Sequence, residues 1–133
     1  MAGAHPAQAA AVIAAVGFLA IAAFQAVLAL GAPLGRPAWG GAHARLPRRL
    51  RIASALARGF WVLGSLVVLE RAGLEASPPP SAVGRWGTWA LVGVLLLGAV
   101  MNFASSSRWE RFLWGPVALL LAGLCLVVAR SPL

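Results

Sequence analysis

The chain has no lysine, no tyrosine and no aspartate, and only one cysteine and three acidic residues among 133. Each shortage removes a class of chemistry. A single thiol, Cys125, excludes an intramolecular disulfide and a cysteine-based metal site. It sits in the middle of an apolar run and reads as a small core residue. His43 has no second histidine and no cysteine near it, so metal-ligand spacing is missing and no metal is expected. Glu70 and Glu110 fall at the ends of apolar runs, not inside them. That argues against a proton-coupled small exporter, which needs a titrating carboxylate within the membrane. The phosphate-cradling Gly-x-x-x-x-Gly-Lys, the nucleophile turn Gly-x-Ser-x-Gly, His-Glu-x-x-His and Cys-x-x-Cys are all missing. No catalytic residue and no cofactor is expected.

Charge is scarce as well. Charged residues make up 11% of the chain, against about 25% in an ordinary soluble domain. Hydrophobic residues make up 61%, and mean hydropathy is +0.86. This composition predicts an integral membrane protein with one bundle and no second domain. The net charge of +8 comes from arginines spread over short segments between apolar runs. They form no basic stripe interleaved with stacking aromatics, so nucleic acid is not an expected partner. Membrane orientation and contact with anionic lipid headgroups explain them. The use of arginine alone, with abundant alanine and glycine, points to a GC-rich genome.

Four apolar runs predict an all-α bundle of four transmembrane helices, at about 7–30, 52–70, 86–103 and 108–129. The first run, about 24 residues, spans about 36 Å as a helix, enough for a tilted crossing. A cleavable leader would want a basic start and a shorter apolar core, which this run does not offer. Ala7, Ala11 and Ala15 form one small-residue ridge and Ala22 with Ala26 another, predicting a close-packing face. Gln25 is an amide in an apolar run and is expected to face the bundle, as glue between helices.

Residues 31–51 hold five of the eleven arginines, three prolines and four glycines. Pro33 and Pro37 end the first helix. Trp39 reads as a headgroup-level anchor, and His43 as a loop histidine, or as a titrating or phosphate-contacting group beside Arg45, Arg48 and Arg49. In the second run Arg58 is an anomaly, about six residues or roughly 9 Å in from Ile52. It either snorkels to the interface or turns inward to Glu110. Gly73 suits a helix C-terminal cap, and Pro78, Pro79 and Pro80 predict a stiff exposed linker. Trp86 and Trp89 read as interface anchors at the start of the third run. Asn102 near its far end reads as a cap or a bond to a neighbour. Ser107-Arg108-Trp109-Glu110 matches a Ser-x-x-Glu capping box, and Pro116 is expected to kink the fourth helix near Phe112–Leu113.

The loop arginines predict orientation. Arg36, Arg45, Arg48, Arg49 and Arg51 lie in the first loop, and Arg108 with Arg111 in the third. Arg71, Arg85 and Arg130 lie on the opposite side. The bias places loops 31–51 and 104–111 in the cytoplasm and both termini on the outer side of the plasma (inner) membrane, with the helices as two hairpins.

Several stretches carry a resemblance. They are Phe24-Gln25, Ala29-Leu-Gly-Ala-Pro-Leu-Gly35, Ala38-Trp-Gly-Gly41, Leu46-Pro47, Leu50-Arg-Ile-Ala-Ser54, Met101-Asn-Phe-Ala-Ser105, Trp109-Glu-Arg111 and Trp114-Gly-Pro116. In these the chain resembles a group of small, uncharacterised four-helix membrane proteins of high-GC actinobacteria, over most of its length except the proline-rich linker. The resemblance implies the topology and no mechanism.

Three functional readings follow. The first is a small accessory or scaffold protein packing against another membrane protein, favoured by the small residues, Gln25, Asn102 and the missing catalytic groups. The second is a homo-oligomeric transporter or pore lined by Gln25, Ser54, Ser65, Thr88 and Asn102. The third is a membrane enzyme or binder of lipid or isoprenoid headgroups at the cytoplasmic interface, using His43, the loop arginines, Trp109 and Glu110.

Overall fold

A computed structural model describes residues 5–74 and 82–131. The regular structure of the described residues is all helical, with helices α1 (Pro6–Ala29), α2 (Arg48–Arg71), α3 (Ala82–Phe103) and α4 (Gly115–Arg130). A π turn, Glu110–Trp114, leads into α4. All four helical segments are long and apolar enough to cross a membrane. The linker prolines Pro78, Pro79 and Pro80 lie outside the described residues.

The helix ends follow local chemistry. Pro6 occupies the first turn of α1, where its missing N–H costs nothing, and His5 Nδ1 accepts from the Ala7 N–H at 3.1 Å. At the other end Gly31 takes φ +90°, its N–H reaches Leu28 O, and Ala32 N–H reaches Val27 O. That pair of bonds is a Schellman cap, which needs a left-handed residue that glycine supplies without strain. The same motif closes α2. Gly73 sits at φ +73°, its N–H bonds Glu70 O, and Leu74 N–H bonds Leu69 O.

Two helices start four residues earlier than the apolar runs indicate. α2 begins at Arg48, directly after Pro47 in an extended conformation. Polar residues are welcome in a first turn exposed to water, so Arg48, Arg49 and Arg51 belong to the helix and not to the loop. α3 likewise takes in Ala82 to Arg85.

α1 packs most extensively against α2 and α3 against α4, while α1 with α4 and α2 with α3 complete the ring. The alanine ridge lies inside. Ala7, Ala11, Ala15 and Ala22 are buried, joined by Ala10, Ala14 and Phe18. Ala26 is half-buried. Small residues let α1 approach its neighbours closely, so Leu91, Leu95, Leu121, Val128 and Cys125 fill the centre. Phe18 stacks on Trp61 of α2 at 5.3 Å between ring centroids.

The end of the bundle at the start of α1 is tied by polar contacts. Gln8 Nε2 donates to Ala72 O at 3.4 Å, and buried Arg71 donates through Nη2 to Ser131 O at 2.7 Å. At the opposite end the segment after α1 folds back onto the helices. Leu28, Ala38 and Leu46 form a second small core there, with Phe24 and Leu50 against it.

Pro116 has no N–H for the carbonyl of Phe112, and its ring crowds that oxygen. The disruption expected at Phe112–Leu113 takes the form of the π turn. Within it the Gly115 N–H reaches five residues back to Glu110 O.

Candidate functional site

The first loop reaches the bundle through three consecutive left-handed residues. Trp39 has φ +51°, Gly40 +83° and Gly41 +78°. For tryptophan that conformation costs about 1–2 kcal/mol, and two bonds offset it. The Trp39 Nε1–H donates to Ser54 Oγ of α2 at 2.9 Å. The Gly40 N–H donates to Glu110 Oε2 at 3.1 Å, joining residues 70 apart in sequence. Arg36 adds bonds to Gly41 O at 3.2 Å and Ala42 O at 3.5 Å.

Glu110 is thus a clamp more than a cap. Its N–H does meet Ser107 Oγ, at a long 3.4 Å. The reciprocal half of a capping box is missing, because the Ser107 N–H goes to Ser105 Oγ at 3.0 Å. The Glu110 carboxylate instead accepts from the Ser105 hydroxyl through Oε1 and from the first loop through Oε2. The expected box is therefore half-formed, and the freed carboxylate ties two loops together.

Beneath this clamp lies a half-open cavity of about 250 Å³. Its lining includes Gln25 of α1, Trp39, Trp61 of α2, Asn102 of α3, Glu110 and Trp114. Four candidate positions from the sequence, Gln25, Trp39, Asn102 and Glu110, therefore meet at one place. Trp39 serves as cavity wall and tether to Ser54, which corrects its reading as a headgroup anchor alone. Asn102 Nδ2 donates to Gly98 O at 2.8 Å, within its own helix and not to a neighbour. Gln25 Oε1 is buried and has no hydrogen-bond partner among the described residues. Phe24 packs on Trp114 at 5.4 Å.

The other candidates lie apart. His43 and Trp109 do not line the cavity. Trp109 is exposed, on a shallow surface with Arg108, Phe112 and Leu113. His43 is half-buried in the first loop, with Nδ1 unpartnered among the described residues. Arg58 is exposed on α2. Glu110 is engaged by Ser105 and Gly40, so the inward Arg58–Glu110 pair does not form.

The loop arginines divide into two sets. Arg45 donates to Gly31 O at 3.1 Å and Arg51 to Ala29 O at 3.0 Å, placing cations on the carbonyl end of α1. Arg48, Arg49 and Arg108 are exposed and have no partner among the described residues. Among the described residues no group of three or more His, Cys, Asp or Glu is placed to hold a metal ion.

Reasoning from sequence missed Trp61, Gly40 and Arg71. Trp61 had one signal, a tryptophan in mid-span away from either interface. The Gly40 contribution is a backbone N–H and leaves no trace in side-chain chemistry. Comparison with family models, curated proteins and solved structures found no match.

Proposed function

We propose that this protein is an accessory or scaffold component of the plasma (inner) membrane, packing against a helix of another membrane protein. It crosses four times as two hairpins, with its termini outside and the loops 31–51 and 104–111 in the cytoplasm. Arginine bias supports the orientation. Exposed Arg48, Arg49 and Arg108 then meet anionic headgroups. The resemblance to small actinobacterial four-helix proteins supports the topology.

Arg58 carries the partner reading. With α2 running from Arg48 to Arg71, Arg58 lies about 2 Å from the midpoint of the helix. It is about 10 Å from the level of Arg51, a long reach even for a snorkelling side chain. Its helix neighbours one turn away on the outer side are Ala55 and Val62, both apolar and exposed. Arg58 is about 9 Å inside the apolar run that starts at Ile52, and a cation at the helix centre costs about 2.5–3.5 kcal/mol on insertion scales, so a carboxylate on a facing helix is favoured there. A second copy does not supply one, because Glu70, Glu75 and Glu110 all lie near helix ends in sequence. The partner is therefore a different chain with an acidic residue in mid-span.

The transporter reading has less support. Ser65 and Thr88 donate to Val62 O and Gly84 O of their own helices, and Ser54 serves Trp39, so these hydroxyls do not form a path. The enzyme reading needs His43, Trp109 and Glu110 to share one site, and of the three only Glu110 lines the cavity.

The test is the intact mass of the complex released gently from its native membrane, for the wild type and for Arg58→Leu. We expect a heteromeric mass that the substitution abolishes, with the thermal stability of the isolated chain unchanged or raised. A homo-oligomer indifferent to Arg58→Leu refutes the reading.

A further inference from the structure

The polar groups around the cavity are unequally engaged. Trp39 gives its N–H to Ser54, Asn102 gives an N–H to Gly98 O, and both carboxylate oxygens of Glu110 accept bonds. Gln25 alone among them brings a buried oxygen with no donor. A buried acceptor left unmatched is costly, and in a native structure it marks a place where a water or a ligand completes the bond.

The cavity walls narrow the choice. Trp39, Trp61, Trp114 and Phe24 offer aromatic rings, which favour stacked or edge contact with another planar ring. A lone water would satisfy Gln25 but leave these apolar walls unfilled. A cavity of about 150 Å³ accepts benzene, so about 250 Å³ has room for two fused rings. Depth also matters. Gln25 lies four residues before the end of α1 and Asn102 one before the end of α3. The opening is therefore near the boundary between acyl chains and headgroups, where amphipathic aromatic molecules concentrate.

We propose that the cavity binds a small bicyclic aromatic alcohol arriving from the bilayer boundary. Its hydroxyl donates to Gln25 Oε1 and its ring lies against the tryptophan walls. A hydroxyl suits the amide in either orientation, since it both donates and accepts. It also reproduces the bond of any water it displaces. This site does not depend on a partner at Arg58.

The experiment compares 1-naphthol with naphthalene, using tryptophan fluorescence of the full chain in lipid nanodiscs, with protein-free nanodiscs setting the partition background. The wild type is expected to show saturable quenching, with naphthol binding about ten-fold tighter than naphthalene, the value of one hydrogen bond. Gln25→Leu should bring naphthol to the naphthalene level while naphthalene itself still binds. Gly98→Leu is a second variant. A Cβ at Gly98 meets nothing within 4 Å and Gly98 lines the cavity, so a leucine there is expected to occupy it and abolish saturable binding of both probes. Three results would overturn the proposal: no saturable quenching in the wild type, equal affinity of the wild type for the two probes, or naphthol that keeps its advantage over naphthalene in Gln25→Leu or still binds saturably in Gly98→Leu.

Discussion

Removing the Glu110 carboxylate should release the first loop from the bundle. The side chain accepts two hydrogen bonds, from the Ser105 hydroxyl and from the Gly40 N–H at 3.1 Å. Bonds to a charged acceptor contribute about 1.5–3 kcal/mol each when buried. The Gly40 bond is exposed and the Ser105 bond part-buried, so a value near 1 kcal/mol apiece is appropriate. Glu110→Ala should then weaken loop docking by about 2 kcal/mol, roughly a 30-fold rise in the local opening equilibrium. Glu110→Gln keeps one acceptor oxygen and should lose about half of that free energy. Ser107→Ala removes only the long 3.4 Å contact and should change little. Amide hydrogen exchange of residues 38–44 in detergent reads the opening directly. Because Trp39 holds a left-handed conformation only while docked, its Nε1–H should lose protection together with the Gly40 amide. Unchanged exchange in this segment for both Glu110 variants refutes the clamp.

Further outcomes follow from the packing and the exposure. A methyl group at Gly35 would lie 2.6 Å from the His43 carbonyl oxygen and 3.0 Å from that of Ala44, so Gly35→Ala should destabilise by about 1–3 kcal/mol. In contrast Gly59→Ala, in mid-helix with open space, should be neutral or stabilising by up to about 1 kcal/mol; thermal denaturation of the pair checks both. Cys125 is 0% exposed, so the wild type should stay silent to an impermeant maleimide until it is unfolded. On that background Arg49→Cys should be labelled only in inside-out vesicles and Arg85→Cys only in right-side-out ones, and the reverse pattern refutes the orientation.

The four helices were legible because apolar runs of that length, long enough to cross a membrane, satisfy their backbone groups as helices. The helix starts were less so. Hydropathy marks where a span becomes apolar, whereas the backbone of α2 begins at the preceding Pro47, four residues earlier. The added turn carries Arg48, Arg49 and Arg51, so Arg58 stays about 9 Å beyond Ile52, and what the structure adds is that its side chain is exposed. Gln25, Asn102 and Glu110 drew attention as isolated polar residues, yet their convergence on one cavity depends on how α1, α3 and the π turn pack together. Ser-x-x-Glu spacing suggested a local capping box at Ser107–Glu110. The tertiary competitor, the Gly40 N–H, won the carboxylate, and a backbone group on a distant loop leaves no pattern near Glu110.

The π turn ahead of Pro116 sets the phase of the last span. One extra residue per turn is equivalent to a single-residue insertion, and it rotates everything before it by about 100° relative to everything after. The face that Glu110 shows to the first loop is thereby uncoupled from the face that Leu121, Cys125 and Val128 show to the core. Deleting one residue such as Leu113 would take out the extra residue and leave only the proline kink, but it would swing the carboxylate away from Gly40. The two ends of this helix are therefore separately adjustable, and the length of one short segment, more than the identity of any side chain in it, decides whether they match.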